Sequence, residues 1–243
     1  DFDTFNEHVE RTSSISNLSQ LLDAVTENLG RVLSEIGADP RVTSDILNLV
    51  AFSYRGVRER DIGEILGISP IARVMVLQAF DSFITDVNGL LRVDHDLMAD
   101  CITARGASEE DSVRRRIIEY FRDREDADSY MELAHQYGAI GDSESLSSLL
   151  SRREVYTSIS VTDRNLLIRS FNRLKSIVPK HLADLRANVD LGDLPVICPL
   201  LVEGGCFAAC IGIVPEDVSA LGRDRYVVLN AVARSQYKLG LDG

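Results

Sequence analysis

Few residues in this chain combine the type and spacing that chemistry needs. The most pointed of them stand together in Leu90-Leu91-Arg92-Val93-Asp94-His95-Asp96-Leu97-Met98-Ala99-Asp100. Here a short strand is expected to run into a helix. A His at a helix N-terminus is well placed to meet a phosphate, because its ring N–H and the neighbouring backbone N–H groups can point the same way. The other reading of His95 is a capping or packing side chain. The remaining candidates carry less. Cys206 and Cys210 are one helical turn apart with Cys198 nearby, but no second pair of ligands has suitable spacing, so small buried thiols are expected and no metal site is assigned. His8, His135 and His181 lack a Ser or Cys at a nucleophile's spacing, and no catalytic residue is assigned. A phosphate-cradling loop needs Lys directly after Gly in a glycine-rich turn, and none of Lys175, Lys180 and Lys238 follows Gly. The chain is therefore not expected to hydrolyse ATP alone or to be an enzyme in its own right.

The elements that would position His95 are legible as helical stripes. Leu18, Leu21, Leu22, Val25, Leu29, Val32, Leu33 and Ile36 mark a helix of about five turns. Asp39-Pro40 breaks it, and a second helix is expected from about Arg41 to Tyr54. A third is predicted over Glu59 to Leu66. Ser69 is then a natural N-cap and Pro70 a natural first residue for a fourth helix, running to about Ser82. Asn88-Gly89 favours a tight hairpin turn between strands Phe83 to Val87 and Leu90 to Val93. A helix from Asp94 or His95 to about Ala104 follows. This order spells a winged helix-turn-helix. From Ser108 onward the pattern becomes helical pairs: a helix opening at Ser108, then Asp128 to Ile140, Asp142 to Leu150, Thr162 to Ile177, Pro179 to Val189, Leu194 to Val202, Gly205 to Ile213 and Arg223 to Leu239. Short antiparallel helices with short loops stack into a solenoid. The period is irregular, and only the last helix, through Leu229, Val232, Ala233, Tyr237, Leu239 and Gly240, has the spacing of a tetratricopeptide-repeat first helix. The expected fold class is all-α: a winged helix with a small β-hairpin, then a TPR-like α-solenoid. The expected division is 1–40 as an N-terminal helical linker region, 41–106 as the winged helix and 107–243 as the helical repeat.

Composition bounds the function classes. The 243 residues are 45% hydrophobic and carry a net charge of −12, with three lysines against 23 arginines. Such a chain can bury a core, and its field opposes nonspecific attraction to nucleic acid or anionic membrane. Four cysteines in apolar surroundings fit a reducing compartment better than a disulfide framework. No signal pattern opens the chain. The most apolar window, Leu194 to Val214, contains Pro195, Pro199, Glu203 and Gly204-Gly205, so two short buried helices are expected there rather than a membrane span. A cytoplasmic protein with no membrane partner is expected. The absence of a starting Met and the ending at Leu241-Asp242-Gly243 within what reads as a repeat give the expectation of a piece of a larger protein.

The stretch Arg60-Asp61-Ile62-Gly63-Glu64-Ile65-Leu66-Gly67-Ile68-Ser69 resembles the first helix and turn of many bacterial regulators. A DNA-reading helix should next present polar side chains to base edges. Here Pro70-Ile71-Ala72-Arg73-Val74-Met75-Val76-Leu77-Gln78 offers only Arg73 and Gln78 as long polar groups. That helix reads as buried against protein, and DNA binding is disfavoured.

The order of long helix, winged helix, His95-Asp96-Leu97 and helical tail resembles the regulatory half of STAND proteins, the signal-transduction ATPases with numerous domains. That class includes apoptotic-protease activators and immune receptors. In that family a Met-His-Asp motif in the winged helix contacts the β-phosphate of bound ADP and holds the resting state. The resemblance implies that His95 senses the nucleotide and that Asp96 supports it at the helix start. Asp94 stands where the family motif has Met. It further implies an upstream NTPase domain and a protein partner, and ADP or ATP held in the full-length protein with no cofactor in this region alone. The alternatives are a transcription regulator whose winged helix binds DNA, and a helical-repeat scaffold that binds a peptide.

Overall fold

The computed structural model describes residues 18–157, 163–174 and 185–241. His8, His181, Lys175 and Lys180 lie outside them, as do most of the helix expected over Pro179 to Val189 and the ends of the one expected over Thr162 to Ile177. The described residues are mostly helical, with one two-stranded antiparallel sheet. They divide into two compact units, Asp1–Ile117 and Ile118–Gly243.

In the first unit, α1 (Leu18–Glu35), α2 (Val42–Phe52), α3 (Glu59–Leu66) and α4 (Pro70–Ala79) precede β1 (Ile84–Val87), β2 (Leu90–Val93) and α5 (Asp96–Gly106). The division falls within α6 (Glu110–Phe121). α2 is the hub: Ile46 and Leu49 are fully buried, and α1, α3, α4, β2 and α5 all pack against it. Local chemistry sets the boundaries. Gly67 ends α3 in the left-handed conformation at φ 65°, its N–H donating to the Gly63 carbonyl. Ser69 then caps α4, its hydroxyl oxygen accepting from Ala72 N at 3.2 Å. Ser69→Ala is expected to cost about 1 kcal/mol, the usual worth of such a cap. Chemical denaturation reads it, and a midpoint unchanged from wild type would show that tertiary packing alone sets the start of α4.

The hairpin follows from Asn88 and Gly89, whose φ values of 58° and 82° make the tight turn that its two central residues favour. Asp86 Oδ1 accepts from Gly89 N at 2.6 Å, and the register pairs Ile84 with Val93 and Val87 with Leu90. An outer bridge ties the sheet to the chain before α3: Val57 N donates to Leu91 O at 3.1 Å and Leu91 N returns to Val57 O at 2.9 Å. Arg92 Nε also donates to the Arg55 carbonyl. Gly56, at φ 94°, lets the two strands of chain approach there. The start of α6 is held to α2 by Arg114, which is 9% exposed, bonded to Glu110 at 2.7 Å and stacked 5.0 Å from the Phe52 ring.

The second unit continues with α7 (Ala127–Ile140), α8 (Ser143–Leu150), α9 (Arg153–Thr157), α10 (Arg164–Leu174), α11 (Leu194–Glu203), α12 (Phe207–Ile213) and α13 (Arg225–Leu239). Asp126 and Asp142 cap α7 and α8, accepting from Ser129 N and Ser145 N at 3.0 Å each. The apolar window around Pro199 forms two helices, α11 and α12, parted at Gly204-Gly205, and α13 packs across both. Ile197, Leu201, Cys210 and Val228 are fully buried in that packing. Among the described residues no helix is long and apolar enough to cross a membrane. The helix α9 has no counterpart in the sequence reading. It inserts Val155 and Tyr156, both buried, with Tyr156 stacked 6.5 Å from Phe171 and its hydroxyl donating to the Leu150 carbonyl.

Candidate functional site

His95 sits at the corner where the hairpin becomes a helix. The ladder extends one residue past β2, with Asp94 N donating to Phe83 O at 2.9 Å. His95 is then extended, at φ −113° and ψ 127°, and is the N-cap of α5. Its carbonyl accepts from Met98 N and Ala99 N at 2.9 Å each, which starts the helix. Met98 and Ile102, 1% and 2% exposed, anchor α5 in the core of the first unit. The corner is thus rigidly placed by one buried helix face and one strand.

The side chains at that corner point to solvent. Asp94, His95 and Asp96 are exposed, and Leu97 beside them is 74% exposed. His95 makes no side-chain capping bond, so the packing and capping roles open to it from sequence are not what the local geometry uses. Asp96 lies in the first turn, where a carboxylate is favoured by the N–H ends of the helix. Chemically the corner offers an imidazole, the N–H groups of a helix start and two flanking carboxylates. Those carboxylates oppose a bare phosphate, so an anion held here requires cations from another surface.

The helix weighed as a DNA reader, α4, is only half as the sequence suggested. Ala72 and Val76 are buried, but Ile71 and Val74 are 67% and 40% exposed, a correction to its reading as buried against protein. Its Arg73 is turned back onto α3, paired with Glu59 at 3.1 Å and packed over Gly63. The outer face of α4 is therefore apolar, which suits a protein surface better than a groove lined with base edges.

The thiols lie in the second unit. Cys198, Cys206 and Cys210 are buried and Cys101, in the first unit, is half-buried, all four as free thiols. Cys206 donates to the Phe171 carbonyl at 3.1 Å. The hydrogen bond between Cys198 and Cys210, with burial, pushes the Cys198 thiol up, while the same bond holds the Cys210 thiol down. Among the described residues no group of three His, Cys, Asp or Glu side chains is placed to hold a metal ion. His135 is half-buried on α7, away from any of these thiols in sequence and element.

One concave feature was not anticipated. Where α1, α2 and the C-terminal end of α5 meet, a cleft of about 140 Å3 opens to solvent. Leu22, Leu47 and Ile102 line it as buried residues, and Arg105 and Glu109 line it as exposed ones. Asn48, 4% exposed, packs its amide oxygen against Gly106 and donates to Glu109 Oε2 at 3.4 Å. Gly106, the last residue of α5, is where the Asn48 side chain packs closely, and its sequence position past the expected end of the helix at about Ala104 gave no sign of that contact. The chain matches no protein-family model, no curated protein and no solved structure.

Proposed function

We propose that this chain is a regulatory and protein-interaction region of a STAND-type signalling ATPase, acting in the cytoplasm and not an enzyme by itself. In this reading residues 41–106 are a winged helix that closes over a nucleotide held by an upstream NTPase domain. The observation that carries it is His95: exposed, free of a capping bond and fixed at a helix start by buried Met98 and Ile102. ADP would bias the closed state through His95, with Asp96 at the helix start beside it, and exchange for ATP would release the winged helix for self-association. The exposed Leu97 and the apolar outer face of α4 give the surfaces such a domain would bury in the closed state. The flanking Asp94 and Asp96 require the NTPase domain to bring the cations that neutralise the phosphate.

The test is His95→Ala in the full-length protein. ADP affinity is expected to fall at least about fivefold, the lower end of an allosteric coupling, with basal oligomerisation raised. Unchanged nucleotide affinity and oligomeric state would sink the reading. A second reading, a helical-repeat scaffold, is favoured by one observation: Leu229 and Tyr237 of α13, at repeat-like positions, are 46% and 71% exposed and offer a surface for a further helix or a peptide. Salt-dependent binding of the chain to duplex DNA, with a slope set by phosphate contacts, would instead favour a transcription regulator.

A further inference from the structure

We infer that the cleft at the meeting of α1, α2 and α5 binds a small zwitterion with an apolar arm, of the size of a branched-chain amino acid. This site is separate from the His95 corner and does not rest on the nucleotide reading. Its volume of about 140 Å3 is close to the roughly 150 Å3 of a cavity that admits benzene, which limits it to a ligand of about that size. Three features of its lining define the ligand.

The buried part of the lining is apolar on one side, through Leu22, Leu47 and Ile102 beside the amide of Asn48, and takes a short aliphatic arm. Within it lies Thr26, whose hydroxyl is buried without a hydrogen-bond partner. A buried hydroxyl is costly to leave unpaired, and a ligand carrying a donor or acceptor beside its apolar arm supplies the missing bond. The exposed part of the lining carries one cation and one anion. Arg105 Nη1 holds Asp23 at 2.8 Å, which leaves most of the five guanidinium N–H groups for a carboxylate. Glu109 accepts only a long bond from Asn48, 3.4 Å, on one oxygen, and a carboxylate has room for several donors.

Opposite charges select against the simpler ligand classes. A plain anion at Arg105 would face Glu109 and Asp23 with nothing in return. A plain cation at Glu109 would face Arg105. An apolar molecule would leave Thr26 unpaired and desolvate Asn48. A ligand with both an ammonium and a carboxylate next to an aliphatic arm satisfies each of these groups at once.

The probe is L-leucine, titrated calorimetrically into the 243-residue chain, with isovalerate, which lacks the ammonium, and isopentylamine, which lacks the carboxylate, as comparisons. Saturable L-leucine binding is expected, with each singly charged analogue at least about tenfold weaker. Thr26→Val keeps the shape and removes only the orphan hydroxyl, so its unfolding midpoint should hold or rise while L-leucine affinity drops about tenfold. Arg105→Met should weaken L-leucine, while isopentylamine, relieved of the facing guanidinium, should bind no more weakly than to the wild type. No saturable L-leucine binding up to about 10 mM overturns the proposal. So does isovalerate or isopentylamine binding as well as L-leucine, or Thr26→Val binding like the wild type.

Discussion

Gly56→Ala should unfold the first unit more readily than any exposed substitution, lowering stability by about 4 kcal/mol. Two costs combine. At φ 94° an L side chain is strained by roughly 1–3 kcal/mol. A Cβ there would also run into the Leu91 carbonyl oxygen and the Arg92 side chain, and relieving such overpacking typically costs a further 1–3 kcal/mol or so. The clash falls on the bridge between Val57 and Leu91, the only ladder contact between the sheet and the chain before α3 among the described residues. Relief by movement would therefore undock the hairpin that leads into His95. The control is Gly67→Ala, at φ 65° with nothing within 4 Å of the added Cβ, which should cost only about 1 kcal/mol. Urea denaturation of both variants separates the terms. Equal losses would mean that conformation alone matters at Gly56 and that the approach of Leu91 is slack.

The contrast between those glycines shows what a sequence can and cannot disclose. Ser69-Pro70 and Asn88-Gly89 act through their own backbones, so their cap and turn were legible, and so was the position of His95 at the start of α5. The two helices around Gly204-Gly205 were legible for the same reason, since Pro199 and the glycine pair limit how far an apolar run can continue. What depends on a neighbour was not. The helix α4 read as buried against protein, yet a ten-residue helix has two faces, and only the packing of α1, α2 and α3 decides that Ile71 and Val74 stay outside. The five residues of α9 are too few to show a period, and the element exists because Val155 and Tyr156 find a core to enter. The cleft is the extreme case. Thr26, Asn48 and the pair Arg105 and Glu109 are ordinary residue types from three separate stretches of the chain, and only the meeting of α1, α2 and α5 brings them to one cleft.

Gly204→Ala is the corresponding large effect in the second unit, and its cause is contact alone. Gly204 is buried with φ −75°, a conformation any residue adopts, so backbone strain contributes nothing. A Cβ there would stand 2.5 Å from Phe171 Cβ and 3.2 Å from the Ile168 and Leu200 carbonyl oxygens. Phe171 cannot yield by rotating, since its Cβ is fixed to the backbone of α10, its ring stacks on Tyr156, and its carbonyl accepts the Cys206 thiol. Either α10 or the turn after α11 must move, at an expected cost of about 3 kcal/mol. The thiols report which unit yields. In the wild-type chain Cys101 is the one half-buried thiol and Cys198, Cys206 and Cys210 are buried, so a thiol reagent should label Cys101 first and the other three only after opening. With Gly204→Ala the three buried thiols should label faster by about two orders of magnitude, the factor that ~3 kcal/mol confers on an opening equilibrium, while Cys101 keeps its wild-type rate. Unchanged labelling of Cys206 would mean that the junction of α10 with the turn after α11 has room for a methyl group. A parallel rise at Cys101 would mean that the two units open together.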